Sequence, residues 1–211
     1  MSSTAVSPTA RVGRRGLTSS ALAVTVGLVI GGVTSFGQLL PAVLNPLANS
    51  VSGWTIPMVA LVWWARGGPT RSAITGALVF VAECLGYSLV STLRGNVDLE
   101  LTWSLIGLVI GPVLGVAIAL LRGRSVRMRA LASGVLGGIA LADGIRGLVL
   151  LPDGWGAWSL VLMIGIVFLA ATGWHLPDHR HVVLQMTVAV VVGVLFVVMI
   201  DVVLHAILLA L

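Results

Sequence analysis

Apolar residues fall along this chain in seven runs, at about 17–40, 48–65, 72–93, 101–121, 130–151, 155–174 and 182–207, with short glycine-, proline- or arginine-bearing stretches between them. A helix that crosses the hydrocarbon layer needs about 20 mostly apolar residues, and fewer where the bilayer thins. Each run therefore predicts a transmembrane helix. The second is the weakest, since Pro57 interrupts it and its start is blurred; without it the count is six. The expected fold class is all-α, a polytopic transmembrane helical bundle of about seven spans with a cytoplasmic N-terminus. A disordered basic tail at 1–16 would precede a single transmembrane helical domain at 17–211.

The connectors give an independent check on this register. All twelve basic residues are arginines. With the N-terminus inside, the inner segments hold Arg11, Arg14, Arg15, Arg66, Arg71, Arg122, Arg124, Arg127, Arg129 and Arg180. The outer connectors hold only Arg94, beside Asp98, Glu100 and Asp153. That asymmetry is the positive-inside signature, and with seven spans it puts the C-terminus outside. Trp54, Trp103, Trp155 and Trp158 fall at outer ends and Trp63, Trp64 and Trp174 at inner ends, as interfacial aromatic belts would. The run from Leu17 continues past signal-peptide length without a persuasive cleavage site, so it is expected to be a retained span.

Composition removes other classes. The chain is 58% hydrophobic and 9% charged, with a mean hydropathy of +1.10, against about 45–50% apolar in soluble domains. A net charge of +5 would suit nucleic acid only if the arginines formed one stripe; scattered between spans, they act as topology signals, and no nucleic-acid partner is expected. Cys84 is the single cysteine, so no intrachain disulfide forms. No connector is long enough for a soluble domain, and a chain without lysine has no phosphate-binding Gly-x-x-x-x-Gly-Lys loop. The 26 glycines recur at four-residue spacing, as at Gly27 and Gly31, at Gly107, Gly111 and Gly115, and at Gly134 and Gly138. Such ridges let helix backbones approach closely, within the bundle or against another protein. A three-plus-one-plus-three arrangement of spans is open, with no motif marking one half as a copy of the other.

Five ionisable side chains remain inside the spans: Glu83, Asp143, Arg146, Asp201 and His205. A charge at the bilayer centre costs about 2.5–3.5 kcal/mol on insertion scales, so the set should face inward. Asp143 and Arg146 are three apart and Asp201 and His205 four apart, which places each pair on one helix face. Tyr87 and Ser91 continue a polar stripe from Glu83, and Gln38 ends a similar stripe in the first span, where a Pro-, Asn- and Ser-rich segment at 41–54 begins. That segment either caps a pocket or is an ordinary outer loop. If the five groups border one outward-facing cavity, three carboxylates against one guanidinium would hold a cation, a proton or a zwitterionic solute. In a structural reading the same groups neutralise one another and fix helix packing. The site residues on the first reading are Glu83, Asp143, Arg146 and Asp201, with Tyr87, Gln38 and His205 as secondary contacts.

Two further motifs carry less. "HLPDHRH" gathers His175, Asp178, His179 and His181 on an inner loop at spacings that fit no specific metal site. Ser133-Gly134 with His205 resembles the pair of a rhomboid intramembrane serine protease, but Leu131 stands where that family has glycine, and the two side chains belong at opposite depths. No enzyme activity, metal or cofactor is expected.

"TSFGQ" at 34–38, "LANS" at 47–50 with Trp54 following, and "LGY" at 85–87 resemble an actinobacterial family of multi-pass integral membrane proteins of unknown function. The resemblance runs through most of the chain and implies a helical membrane fold in a bacterial plasma membrane. At the level of architecture the chain also resembles the substrate-binding subunits of energy-coupling-factor transporters, compact helical proteins with an outward pocket, energised by a separate ATPase module; the seventh span departs from that pattern. The expected function is binding and transport of a small polar or cationic solute, with the lipid bilayer, the solute and a membrane subunit or ATPase module as partners. The alternative is a non-transporting scaffold or assembly subunit of an envelope complex.

Overall fold

The computed structural model describes the backbone of residues 8–96 and 101–210, and side chains at 16–96, 101, 103–199 and 202. Eight α-helices occupy the described residues: α1 (Pro8–Thr34), α2 (Pro46–Asn49), α3 (Val51–Ala65), α4 (Pro69–Leu93), α5 (Leu101–Leu121), α6 (Val126–Leu150), α7 (Trp155–Trp174) and α8 (His179–Ala210). Six of them, α1 and α4 to α8, are long and apolar enough to cross a membrane. The chain is a multi-pass helical membrane protein. The second run does form a helix, but α3 has only 15 residues and reaches about 22 Å at 1.5 Å per residue, short of a hydrocarbon core of about 30 Å. In the chain α3 is preceded by a 3-10 turn at Ser35–Leu39, turns, and the single turn α2.

Helix starts follow local chemistry. Gly68 and Pro69 open α4 with proline at a first-turn position, where the missing amide proton removes nothing. Ser125 caps α6 by accepting the Met128 amide at 3.4 Å. The backbone of α1 is already helical at Pro8, inside the segment the sequence reads as a tail; proline suits a first helical turn there too.

Contacts divide the chain into two compact units. The first holds residues 1–35 and 57–119, the second residues 36–56 and 120–211, so that α3 starts in the second and continues from Pro57 in the first. Three long helices lie in each: α1, α4 and α5 in one, α6, α7 and α8 in the other.

The glycine ridges account for the packing inside each unit. A methyl on Gly31 would overlap the Glu83 carbonyl, and one on Gly86 would overlap the Leu28 carbonyl, so α1 and α4 touch backbone to backbone. Gly76 and Gly111 do the same for α4 and α5, and Gly115 lies against Ser72. In the second unit Gly134 and Gly138 face Gln185 and Ala189 of α8, while Gly137 and Gly147 receive Leu169 and the Trp158 ring of α7. Lipid supplies no hydrophobic drive between helices, so this close van der Waals contact is what associates them. Met58, Val62, Val79, Phe80, Leu114 and Ile118 fill the core of the first unit at 0–1% exposure. Val183, Val190, Val191, Val194, Leu195 and Val198 on α8 are exposed and suit contact with lipid tails.

Two tryptophans depart from the belt expected of them. Trp54 and Trp158 are each only 4% exposed, and the Trp158 indole donates to the Leu151 carbonyl at 3.1 Å. Both rings face the protein interior rather than the surface. Trp63, Trp64, Trp155 and Trp174 are exposed, as interfacial residues are.

Arg94, just beyond α4, reaches across to the end of α1 and donates to both the Ser35 carbonyl and, at 3.1 Å, the Ser35 hydroxyl. A cation there satisfies carbonyls that a helix C-terminus leaves without partners. Arg94→Met is expected to lower stability by about 1–2 kcal/mol, with hydrogen exchange accelerated around Ser35; unchanged exchange would show that the contact carries no load.

Candidate functional site

A buried polar centre of the second unit is built around the start of α3. Ser50 ends the irregular segment and accepts the Gly53 amide through its hydroxyl at 2.9 Å, which is N-capping of the third helical residue. The amide of Ser52, one residue earlier, donates instead to Oδ2 of Asp143 on α6 at 2.8 Å, a contact between residues 91 apart in sequence. Both sides are buried, Ser52 at 0% and Asp143 at 3% exposure. The Ser52 hydroxyl lies close to the same carboxylate but makes no hydrogen bond of good geometry. A carboxylate on the first turn of a helix meets amides without intrahelical partners and the positive end of the helix dipole. Arg146, three residues further along α6 and half-buried, acts on the carboxylate electrostatically. Acid, guanidinium and helix start are thus concentrated at one place, an arrangement able to hold groups of either charge.

Gln38 lies in the same unit, in an exposed amide network. Gln38 and Asn49 exchange two hydrogen bonds, at 2.6 and 3.2 Å, and Asn49 also donates to the Asn45 side chain at 2.7 Å. The Val43 carbonyl accepts the Ala157 amide at 2.9 Å, which ties the segment to the first turn of α7. The residues at 36–50 are therefore held within their unit by their own side-chain amides and by this tie to α7.

Glu83 belongs to the first unit, at mid-length of α4. It is 1% exposed, and neither carboxylate oxygen has a hydrogen-bond partner among the described residues. Gly27 and Gly31 of α1 pass directly over it. Tyr87 and Ser91 follow at one-turn intervals, 3% and 4% exposed, so the polar stripe expected from the sequence is present on a buried face. Glu83 and Tyr87 thus lie in one unit, and Gln38, Asp143 and Arg146 in the other. The side chains of Asp201 and His205 lie outside the described residues.

Several polar contacts were not foreseen. The Ser52 amide is invisible in a sequence, since every residue but proline carries one. Gln185, 1% exposed on α8, donates to the Leu169 carbonyl at 3.2 Å and to the Thr172 hydroxyl at 2.7 Å on α7. A lone glutamine in a valine-rich run was the available signal. Ser133 is fully buried, with its hydroxyl turned onto the Ala130 carbonyl at 3.1 Å.

In the "HLPDHRH" loop Asp178 is the N-cap of α8. Its carboxylate accepts the His181 amide at 3.1 Å and lies 2.8 Å from the His181 ring nitrogen Nδ1. The His181 amide, above all, holds this exposed carboxyl below the usual aspartate range. Because the folded value is the lower one, the cap is complete above the ordinary aspartate range and is lost as pH falls through the folded value. Acidification through that range is expected to remove exchange protection from the His181 amide, while Asp178→Asn keeps it; protection unchanged in acid would contradict the cap.

Six long apolar helices with carboxylates sunk among them define the class, a multi-pass helical membrane protein carrying buried ionisable groups. Residues 10–206 match the model of the family of unknown function DUF6518, and the chain belongs to that family. No curated protein and no solved structure matches the chain.

Proposed function

We propose that this protein binds a small polar or cationic solute and moves it across a bacterial plasma membrane, without catalysing a reaction. The observation that carries this reading is the short helix α3, whose first turn ends on Asp143 beside Arg146. Membrane carriers use helix ends of this kind, with the dipole and a few side chains, to receive charged groups. A zwitterion would set its carboxylate against Arg146 and its amine against an acid. Gln38, which lies in the same unit, and Asp201 and His205 complete the proposed contacts. Energy would come from a membrane subunit or ATPase module, as in energy-coupling-factor transporters, and an actinobacterial plasma membrane is the proposed setting. The competing scaffold reading rested on glycine ridges as docking faces. Those at Gly27 and Gly31, at Gly107, Gly111 and Gly115, and at Gly134 and Gly138 are filled within the units, so no observation favours it.

The test is a thermal-shift screen of the purified full-length protein against small metabolites, repeated across pH. A ligand present at 100 times its dissociation constant adds about 2.7 kcal/mol, so a cationic or zwitterionic hit should raise the melting temperature by roughly 5 °C or more. Asp143→Asn and Arg146→Leu should lose that shift. If no solute stabilises the protein, and the double variant Asp143→Ala/Arg146→Leu is more stable than the wild type, the pair is structural and the proposal falls.

A further inference from the structure

Glu83 has a different setting from Asp143. Where Asp143 has an amide and a guanidinium, both oxygens of Glu83 are without a protein donor among the described residues. Among the described residues of its unit no nearby charge compensates. The α1 residues from Gly16 to Thr34, the α3 residues from Pro57 to Ala65, and the whole of α5 contain no acid, base or histidine. On α4 the other titratable groups are Cys84, Tyr87 and, near the first turn, Arg71; Arg94 follows the helix. Arg71 and Arg94 are twelve and eleven residues from Glu83, about 18 and 16 Å along the axis. Arg71 holds the Ala65 and Arg66 carbonyls at 3.1 and 2.8 Å, and Arg94 holds Ser35.

An isolated carboxylate in an apolar surrounding is too costly to persist, so something positive must neutralise it. The glycine crossing indicates what. Gly27 and Gly31 bring α1 so close that a methyl on Gly31 would overlap the Glu83 backbone, and among the described residues of the unit no second carboxylate or side-chain amide is buried beside Glu83. Hard metal cations require several oxygen ligands at once. A proton needs one.

The surroundings are also asymmetric along the helix. Toward Arg94, hydroxyls recur every turn at Tyr87 and Ser91, with Ser88 alongside, all at most 8% exposed. Toward Arg71, the next position on that face is Val79, fully buried, with Phe80 beside it at 1% exposure. The first hydroxyl beyond, Thr75, is turned onto Ser20 at 2.9 Å. A hydroxyl both donates and accepts a hydrogen bond and so can hand a proton on, whereas valine and phenylalanine can do neither.

We propose that Glu83 is a proton-exchange site, connected to the Arg94 end of α4 through Tyr87 and Ser91 and sealed from the Arg71 end by Val79 and Phe80. This site is independent of the solute reading and stands or falls without it.

The experiment uses the full-length protein in phosphatidylcholine vesicles with a separate buffer on each side. Dicyclohexylcarbodiimide attacks protonated carboxyls in apolar surroundings, and peptide mass spectrometry locates the adduct, with Glu83→Gln as the blank. The expected result is an adduct on Glu83 whose yield falls about tenfold per pH unit once deprotonation on the Arg94 side sets in, with little response to pH on the Arg71 side. Val79→Ser should make the yield respond to both sides. Absence of an adduct, a yield indifferent to pH on both sides, or one that follows only the Arg71 side would each overturn the proposal. The sidedness is read on wild-type protein, so a poorly folding variant does not remove the test.

Discussion

Gly31→Val is expected to lower stability by about 3 kcal/mol or more, enough to deplete folded protein in the membrane. The reason is what the new side chain meets. At most helix positions an added Cβ touches another side chain, which can rotate away; at Gly31 it meets the carbonyl, carbonyl carbon and Cα of Glu83. Backbone cannot yield without parting α1 from α4, and Gly86, set against the Leu28 carbonyl, holds the same crossing from the other helix. Gly68 supplies the control, since a Cβ there meets nothing within 4 Å; Gly68→Ala should change stability by less than about 0.5 kcal/mol. Detergent-solubilised protein followed by size exclusion and thermal unfolding would read both. Equal melting temperatures for the two variants would mean that α1 and α4 are not in backbone contact.

Asp143→Ala is expected to cost about 2–3 kcal/mol. It leaves the Ser52 amide buried without an acceptor and removes the counter-charge of Arg146. Asp143→Asn separates these effects, because the amide oxygen can still accept from Ser52 while the charge is gone. Its stability should lie within about 1 kcal/mol of the wild type, with exchange protection of the Ser52 amide retained, whereas Asp143→Ala loses that protection. If Asn is as damaging as Ala, the electrostatic contact with Arg146 dominates and the helix cap is secondary.

The two predictions depend on features of unequal legibility. The glycine spacing at Gly27, Gly31 and Gly107–Gly115 is a local pattern with one physical use in lipid, so the helix contacts were readable, although which helix each ridge meets was not. The apolar runs located the long helices because bilayer thickness imposes a length, and the Pro-, Asn- and Ser-rich composition around 41–54 marked a break between them, though the backbone there is already helical at Pro46–Asn49 and again from Val51. The motifs around Thr34, Leu47 and Leu85 pointed to a family without an assigned function, and that agrees with the family match. Asp143 was singled out as a costly acid, and Arg146 was found at i+3 on its own helix. Ser52 was not, since a contact over 91 residues made by a backbone amide leaves no trace in side-chain pattern. Trp54 and Trp158 failed for a related reason: distance from a span end gives depth, while the face a ring turns to depends on neighbours such as Gly147, which the Trp158 ring covers.

The level at which α3 begins has an electrical consequence. Asp143, which receives its first turn, is seven residues short of the end of α6 at Leu150, or about 10 Å along the axis. With Leu150 at the edge of the hydrocarbon layer, a positive charge arriving at Asp143 from that side would traverse about a third of its thickness and feel roughly 0.8 kcal/mol for every 100 mV across the membrane. Occupancy of that level should therefore respond only gently to voltage, with most of the potential falling across the remainder of α6.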